Sequence, residues 1–295
     1  MRVIFLGTSG STPTKARGLP AVAIEYHKDV LLFDCGEGTQ RQIMTYGVNM
    51  SKIRAIFLTH VHGDHIIGIA GLVRTLALNK RTEPLLIYIP EGYADSVRHL
   101  LEFDRALIPY KIEIRQLKGG TVYKGEGYAV RGFPVAHTVK TYALVFAEDD
   151  TLHFIRDKAE KLGIRGEMFS KLSKSGSITL NGRKVSLGSV TTRKSGTKIV
   201  YATDTKPSKA TETNARGADL LIHEATYAER YVKLAKERGH ATAIQCAKLA
   251  KAAKVNRLVL THISARYKNT DELVSEARTV FRNTDAAYDG MNIDL

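Results

Sequence analysis

The sequence predicts an α/β fold, and three observations carry that prediction: short apolar runs, amphipathic segments between them, and polar clusters where the runs stop. The runs are Arg2 to Leu6, Val30 to Phe33, Ala55 to Leu58, Leu86 to Ile89, Ile199 to Tyr201, Leu220 to Ile222 and Leu258 to Leu260. They are too short for helices and too continuously apolar for strands wetted on one face, so they read as strands buried on both faces. Periodicity and composition predict helices over Ile66 to Leu78, Ala94 to Phe103, Thr242 to Ala253 and Asp271 to Phe281. The polar clusters are Asp34-Cys35-Gly36, Thr59-His60, Asp204-Thr205, His223-Glu224 and Thr261-His262. In α/β architectures ligands gather beyond strand ends, so these clusters are expected to converge on one site.

Composition bounds the partners. The 295 residues are 43% hydrophobic and 25% charged, enough for one large core. Lys and Arg outnumber Asp and Glu by 44 to 30, a formal net charge of +14 that favours a polyanion. Cys35 and Cys246 lie far apart and form no disulfide framework, which points to a reducing, cytoplasmic setting. No stretch approaches the ~18 uninterrupted apolar residues of a membrane span. Charge is uneven along the chain. Between Arg156 and Lys198 the acidic residues are Asp157, Glu160 and Glu167, against basic residues from Lys158, Lys161 and Arg165 through Lys171, Lys174, Arg183 and Lys184 to Arg193 and Lys194. Glycine, serine and threonine are frequent there, so the stretch reads as an excursion from the core or a solvated loop.

The strongest local signal is Thr59-His60-Val61-His62-Gly63-Asp64-His65, three imidazoles and a carboxylate directly after an apolar run. Imidazole and carboxylate suit Zn²⁺ and similar first-row ions, and Gly63 lets successive side chains face different ways. Four residues are too few for two closed sites, and other run ends supply more: His137, Asp204 and His262. Each alone is unremarkable; together they form a ligand set.

H-x-H-x-D-H with a later His, an Asp and a final His resembles the metallo-β-lactamase ligand pattern. Within that superfamily the chain resembles the tRNase Z family along nearly its whole length. The resemblance rests on Phe5 to Gly10, Pro13-Thr14-Lys15-Ala16-Arg17, Phe33-Asp34-Cys35-Gly36-Glu37-Gly38-Thr39-Gln40-Arg41-Gln42, His223 to Tyr227 and Leu260 to Lys268. The Asp34-to-Gln42 and His262-to-Lys268 segments are the most specific to the nuclease.

The resemblance implies a four-layer αβ/βα sandwich over residues 1–295, with the metals at a strand-end edge and a basic tRNA-binding arm inserted at about 150–197. It implies two zinc ions, one on His60, His62 and His137, the other on Asp64, His65 and His262, with Asp204 bridging. Mn²⁺, Fe²⁺ and Co²⁺ suit the same donors. The implied reaction is hydrolytic removal of the 3′ trailer from precursor tRNA, leaving a tRNA 3′-hydroxyl and a trailer 5′-phosphate. Asp64 would accept the attacking water's proton, His240 would protonate the leaving oxygen, and Glu224 would hydrogen-bond that imidazole. Lys15, Arg17 and Arg266 would hold phosphates, although Arg41 and Arg266 could instead pair with Glu37 or another carboxylate. His223 is expected to support structure, and His27, His99 and His153 receive no role. A homodimer is implied as well.

The chain departs from the family in three places. Ile164 to Phe169 replaces the usual Gly-Pro-rich part of the arm, Thr203 precedes Asp204 where Gly is general, and Ala241 follows His240 where Ser is usual. Two rival readings remain at this point. One keeps the fold with other or small phosphodiester substrates; the other is an RNA-binding protein with structural metals.

Overall fold

Alternation along the apolar runs decides the layering. Val3 and Phe5 face one way, Ile4 and Leu6 the other, and all are fully buried. Leu31 and Phe33 against Val30 and Leu32, and Ile199 and Tyr201 against Val200 and Ala202, repeat the pattern. Such strands need cover on both faces. In the computed structural model, which describes residues 1–102, 105–180 and 182–295, two seven-stranded mixed sheets supply it. The first runs, edge to edge, Asn292–Asp294, Arg2–Gly7, Ala21–Tyr26, Asp29–Phe33, Ile53–Phe57, Leu85–Pro90 and Ile112–Leu117. The second runs Thr284–Ala286, Arg257–Thr261, Leu220–Glu224, Lys198–Ala202, Thr141–Glu148, Tyr128–Val135 and Gly120–Gly125.

The sheets share an aromatic-rich core in which Phe57 stacks on Tyr88 at 4.7 Å and Tyr128 on Phe146 at 5.1 Å. On the outer face of the first sheet lie Thr39–Thr45, Gly68–Leu78 and Ala94–Glu102; on that of the second lie Lys209–Ala215, Ala243–Ala253 and Asp271–Arg278. The order helix, sheet, sheet, helix is the four-layer sandwich expected from the sequence.

The expected elements differ in detail from those observed. The helix expected over Ile66 to Leu78 is Gly63–Ile66 followed by Gly68–Leu78, because the chain is spliced there to the Asp34–Gly36 turn: Cys35 N donates to His65 O at 2.8 Å and Gly68 N to Cys35 O at 3.0 Å. A Cβ at position 68 would come within 1.9 Å of Gly36 O, so only glycine permits this approach. The helix expected over Ala94 to Phe103 is Ala94–Glu102, Phe103 lying outside the described residues. Thr242 caps Ala243–Ala253 through a capping box with Gln245. The last helix stops at Arg278, short of Phe281. No helix among the described residues is long and apolar enough to cross a membrane.

The chain divides into two compact units, 1–147 with 198–295, and 148–197. The second unit is folded rather than a solvated loop. Thr151–Phe154 pairs with Thr191–Lys194 and Ser177–Leu180 with Arg183–Ser186, beside the helices Arg156–Lys161 and Met168–Ser175. Ala159, Ile164, Leu172, Val185 and Val190 form its own small core. This accounts for the Ile164-to-Phe169 departure: Ile164 is fully buried, Met168 opens a helix, and Phe169 meets Phe154 edge-to-face at 4.9 Å.

Candidate metal centre

Strands end, and the backbone turns sharply where side chains are needed. Asp34, Asp204 and His262 directly follow or nearly follow strands, and all three take left-handed φ, at 60°, 47° and 55°. Non-glycine residues rarely adopt this region, and such outliers gather at functional sites. Loops from both sheets thereby bring the seven expected ligands together.

They fall into two groups that share Asp204. His60 Nε2 and His137 Nε2 each stand 3.6 Å from Asp204 Oδ2, with His62 Nδ1 at 3.0 Å from the first and 3.4 Å from the second. On the other side, His262 Nε2 and His65 Nε2 lie 3.0 and 3.3 Å from Asp204 Oδ1, and 3.6 and 3.5 Å from Asp64 Oδ2. The ligand atoms of His60, His62, His137 and Asp204 all lie within 4.8 Å of one another, as do those of Asp64, His65 and His262, and those of Asp204, His240 and His262. One carboxylate thus offers an oxygen to each set.

The rings are held from behind. His65 Nδ1 donates to Asp34 Oδ2 at 2.9 Å and His137 Nδ1 to Gly239 O at 3.0 Å. Thr59 Oγ1 gives its proton to Asp34 and Thr226 Oγ1 gives its own to Glu224, so these hydroxyl oxygens accept from His60 Nδ1 at 3.0 Å and His262 Nδ1 at 2.9 Å. Every anchored Nδ1 therefore carries the proton, which leaves Nε2 as a bare lone pair in the neutral ring. The Nε2 atoms of His65 and His262 are buried without a hydrogen-bond partner. Buried polar atoms are rarely left so, and converging imidazole and carboxylate donors fit a cation. Burial pushes the Asp204 and Asp64 carboxyls up, but the charged forms of the neighbouring His262 and His65 imidazoles outweigh it and hold both well below the ordinary range, while Asp204 and Asp34 in turn hold His65 well above its own; a cation held by the neutral rings would supply that positive charge instead. The acids are thus ionised, as ligands must be.

His240 stacks on His262 at 5.4 Å, and its Nδ1 donates to Glu224 Oε1 at 2.9 Å. Burial pushes this imidazole down, yet the Glu224 carboxylate more than offsets it and holds the pKa at about 9. Glu224 is fully buried and also accepts from Thr205 N at 2.6 Å and Ala241 N at 3.1 Å. Because Ala241 contributes only its backbone N–H, the side chain at that position is not needed for this contact. His223 turns the other way, its Nδ1 2.8 Å from Glu224 O and 3.3 Å from Cys246 Sγ, and burial lowers its pKa.

The three expected phosphate contacts part company. Lys15 is exposed on the loop that faces Glu37 and Arg41. Arg17 is turned inward: its Nη1 donates to Thr8 Oγ1 at 2.9 Å and Ala287 O at 2.8 Å, and burial lowers its pKa. It anchors the loop that displays Lys15. Arg266 lies against Tyr227 and Tyr231. Among the described residues, neither Arg41 nor Arg266 makes an ion pair with a carboxylate. Asp34, Thr59, Thr226 and Gly239 were given no role from sequence. Asp34 and Thr59 at least stood at strand ends; the others become partners only through folding.

The chain is 38% identical to a ribonuclease Z from Methanothermobacter thermautotrophicus, covering 100% of this chain and 97% of that one. It is 43% identical to a ribonuclease Z from Gemmatimonas aurantiaca, with 99% and 95% covered. The chain belongs to the ribonuclease Z family. Residues 1–284 also match a family model described as anti-Pycsar protein Apyc1, so the chain is a member of the family under that description too. Among solved structures, the short form of human tRNase Z superposes with a TM-score of 0.72 at 27% identity, covering 100% and 99% of the two chains. The metallo-β-lactamase-fold protein YhfI from Bacillus subtilis, at 20% identity and a TM-score of 0.70 over 99% and 98%, shares the fold. The ribonuclease Z fold and its His/Asp clusters make this a metal-binding hydrolase.

Proposed function

We propose that the chain is a zinc-dependent endoribonuclease that removes the 3′ trailer from precursor tRNA, leaving a tRNA 3′-hydroxyl and a trailer 5′-phosphate. The observation that carries the reading is the division of Asp204, with one carboxylate oxygen toward His60, His62 and His137 and the other toward Asp64, His65 and His262. In this reading the two groups, with Asp204 common to both, would hold two zinc ions. Bound there, divalent cations would acidify water and neutralise charge on a phosphodiester under in-line attack.

The remaining chemistry belongs to the chain's own groups. Asp64, ionised and partly open to solvent, accepts the attacking water's proton. His240, kept protonated by Glu224, delivers a proton to the departing 3′ oxygen. Asp34, Thr59, Thr226 and Gly239 fix ring orientation and tautomer. Lys15, on the loop anchored by Arg17, and Arg266 meet the charged substrate. The 148–197 unit serves as a tRNA-binding arm through its basic side chains, giving affinity that falls with salt. A homodimer and a cytoplasmic setting complete the reading. The family resemblance supports the first, and the two free, buried cysteines support the second.

One other reading, hydrolysis of other or small phosphodiesters at the same centre, would use the same His/Asp donors and the same Glu224–His240 pair. Cut-site mapping on a 3′-extended precursor tRNA, with and without chelator, separates them. The expected result is a chelator-sensitive cut just after the discriminator base, with two zinc ions per chain by elemental analysis. Turnover of small diesters without that cut, or full tRNA cleavage by Asp64→Ala, overturns the proposal.

A further inference from the structure

The Arg266 guanidinium has an unusual setting. Its carbon lies 4.8 Å from the Tyr227 ring centre and 4.6 Å from that of Tyr231, nearly equidistant from two rings whose own centres are 6.4 Å apart. Its Nε donates to Ser264 Oγ at 3.2 Å. Arg230, which lies 5.0 Å from the same Tyr231 ring centre, is neutralised by Glu272 at 2.9 Å. Arg266 has no carboxylate among the described residues, and its side chain is exposed. Its charge is thus uncancelled, and the group sits in the angle between two rings inclined at 56° to each other. The rings are themselves positioned, since Ala228 N donates to Tyr267 Oη at 2.8 Å and fixes the turn between them.

This assembly begins at the reacting centre. The Tyr227 ring centre is 6.0 Å from that of His240, edge to face at 63°. If His240 protonates the departing 3′ oxygen, whatever lies beside His240 meets the nucleotide that carries that oxygen. A phosphate ligand there would need only a cation on a stem. An exposed guanidinium backed by two tyrosines, of which Tyr227 is buried, is instead a planar cation, and every nucleobase has a π-face to stack on it.

We propose that Tyr227, Tyr231 and Arg266 form a stacking shelf for the base of the nucleotide bearing the leaving oxygen, the last one retained on the tRNA body. The inference rests on the tRNA-processing reading and adds a base contact to it. The shelf is blind to base identity and sets the register of the cut by holding that base against His240.

The test pairs two substrates with three proteins: precursor tRNA carrying either a normal or an abasic nucleotide at the discriminator position, with wild type, Arg266→Lys and Tyr231→Leu. The wild-type protein is expected to lose roughly five- to a hundredfold in kcat/KM on the abasic substrate. Arg266→Lys, which keeps the charge but not the plane, should lose a comparable factor on the normal substrate and little more on the abasic one. Tyr231→Leu should follow in the same direction, and cut-site maps of both variants should show products displaced by a nucleotide. Equal losses for Arg266→Lys on the two substrates, or none, would overturn the shelf in favour of a phosphate contact. Full wild-type activity on the abasic substrate overturns it without recourse to any variant. A wild type that turns over small diesters but leaves both precursors uncut removes the function reading and the shelf with it, an outcome distinct from equal losses.

Discussion

Asp34→Asn tests the idea that the buried network behind the histidines sets their tautomers. Asp34 accepts from Thr59 N at 2.8 Å and Thr59 Oγ1 at 2.9 Å on one oxygen, and from His65 Nδ1 and Tyr201 Oη, both at 2.9 Å, on the other. All four partners donate, and asparagine replaces one acceptor oxygen by a donor NH₂. The Thr59 backbone N–H cannot reverse its role, so the amide oxygen must stay with it and the NH₂ must face His65 and Tyr201. The phenol can rotate to accept. His65 can accept at Nδ1 only by moving its proton to Nε2, the atom aimed at Asp204 and Asp64. To bind a cation the ring must switch back and leave two buried donors facing each other, at about 1–3 kcal/mol. That equals a loss of roughly five- to 150-fold in metal affinity. Competition with a fluorescent chelator measures it, and thermal denaturation of the metal-free proteins checks that the fold survives. Wild-type affinity in a folded Asp34→Asn protein would refute the tautomer argument.

Three further predictions follow from the geometry. Glu224→Gln removes the carboxylate that holds the His240 pKa up, so the imidazole gives up its proton at lower pH and the alkaline fall of kcat/KM moves down in pH; an unmoved limb would remove His240 as the acid. Arg17→Ala strands Ala287 O and removes a donor from Thr8 Oγ1, which keeps its bond to Asp289, and should destabilise the protein by about 1–2 kcal/mol, lowering Tm by a few degrees, whereas Lys15→Ala should leave Tm unchanged and flatten the salt dependence of tRNA binding. Leu172→Ala, in the small core of the 148–197 unit, should cost about 2–4 kcal/mol locally, weakening tRNA binding in a gel-shift titration while small-diester hydrolysis persists.

What the sequence revealed, and what it hid, follows from how each signal is written. Strands buried on both faces appear as continuous apolar runs, so the Val30, Ala55 and Leu258 runs were visible. Strands such as Ala21–Tyr26 and Thr141–Glu148 are harder to read, being interrupted by alanine and polar residues, even though Ala21–Tyr26 pairs with Asp29–Phe33 across a two-residue turn. The metal ligands stood out as a set, because Thr59 to His65 packs three imidazoles and a carboxylate after one run and His137, Asp204 and His262 recur after later ones, although each of those alone is unremarkable. Their supports did not, because threonine, a backbone carbonyl and a lone aspartate are common everywhere. Thr226 reaches His262 across 36 positions, and Gly239 reaches His137 across 102. Arg17 shows the converse: the resemblance implies a phosphate ligand, and only the fold shows its Nη1 bonded to a carbonyl 270 positions away.

Thr203 is the departure from the family with the clearest chemical reach. Its hydroxyl donates to Asp204 Oδ1 at 2.9 Å, the same oxygen that faces His65 and His262, while Oδ2 faces the other group. A hydrogen bond to one lobe of a bridging carboxylate draws electron density from that lobe, so the two sets of donors are unequal even though they share Asp204. Thr203→Val keeps the shape and removes the donor. The His65 and His262 side should then gain affinity relative to the His60, His62 and His137 side, narrowing the gap between two successive binding events in a zinc titration. A gap that stays the same or widens would mean that the hydroxyl only holds the left-handed Asp204 backbone in place and does not set the balance between the two sets of donors.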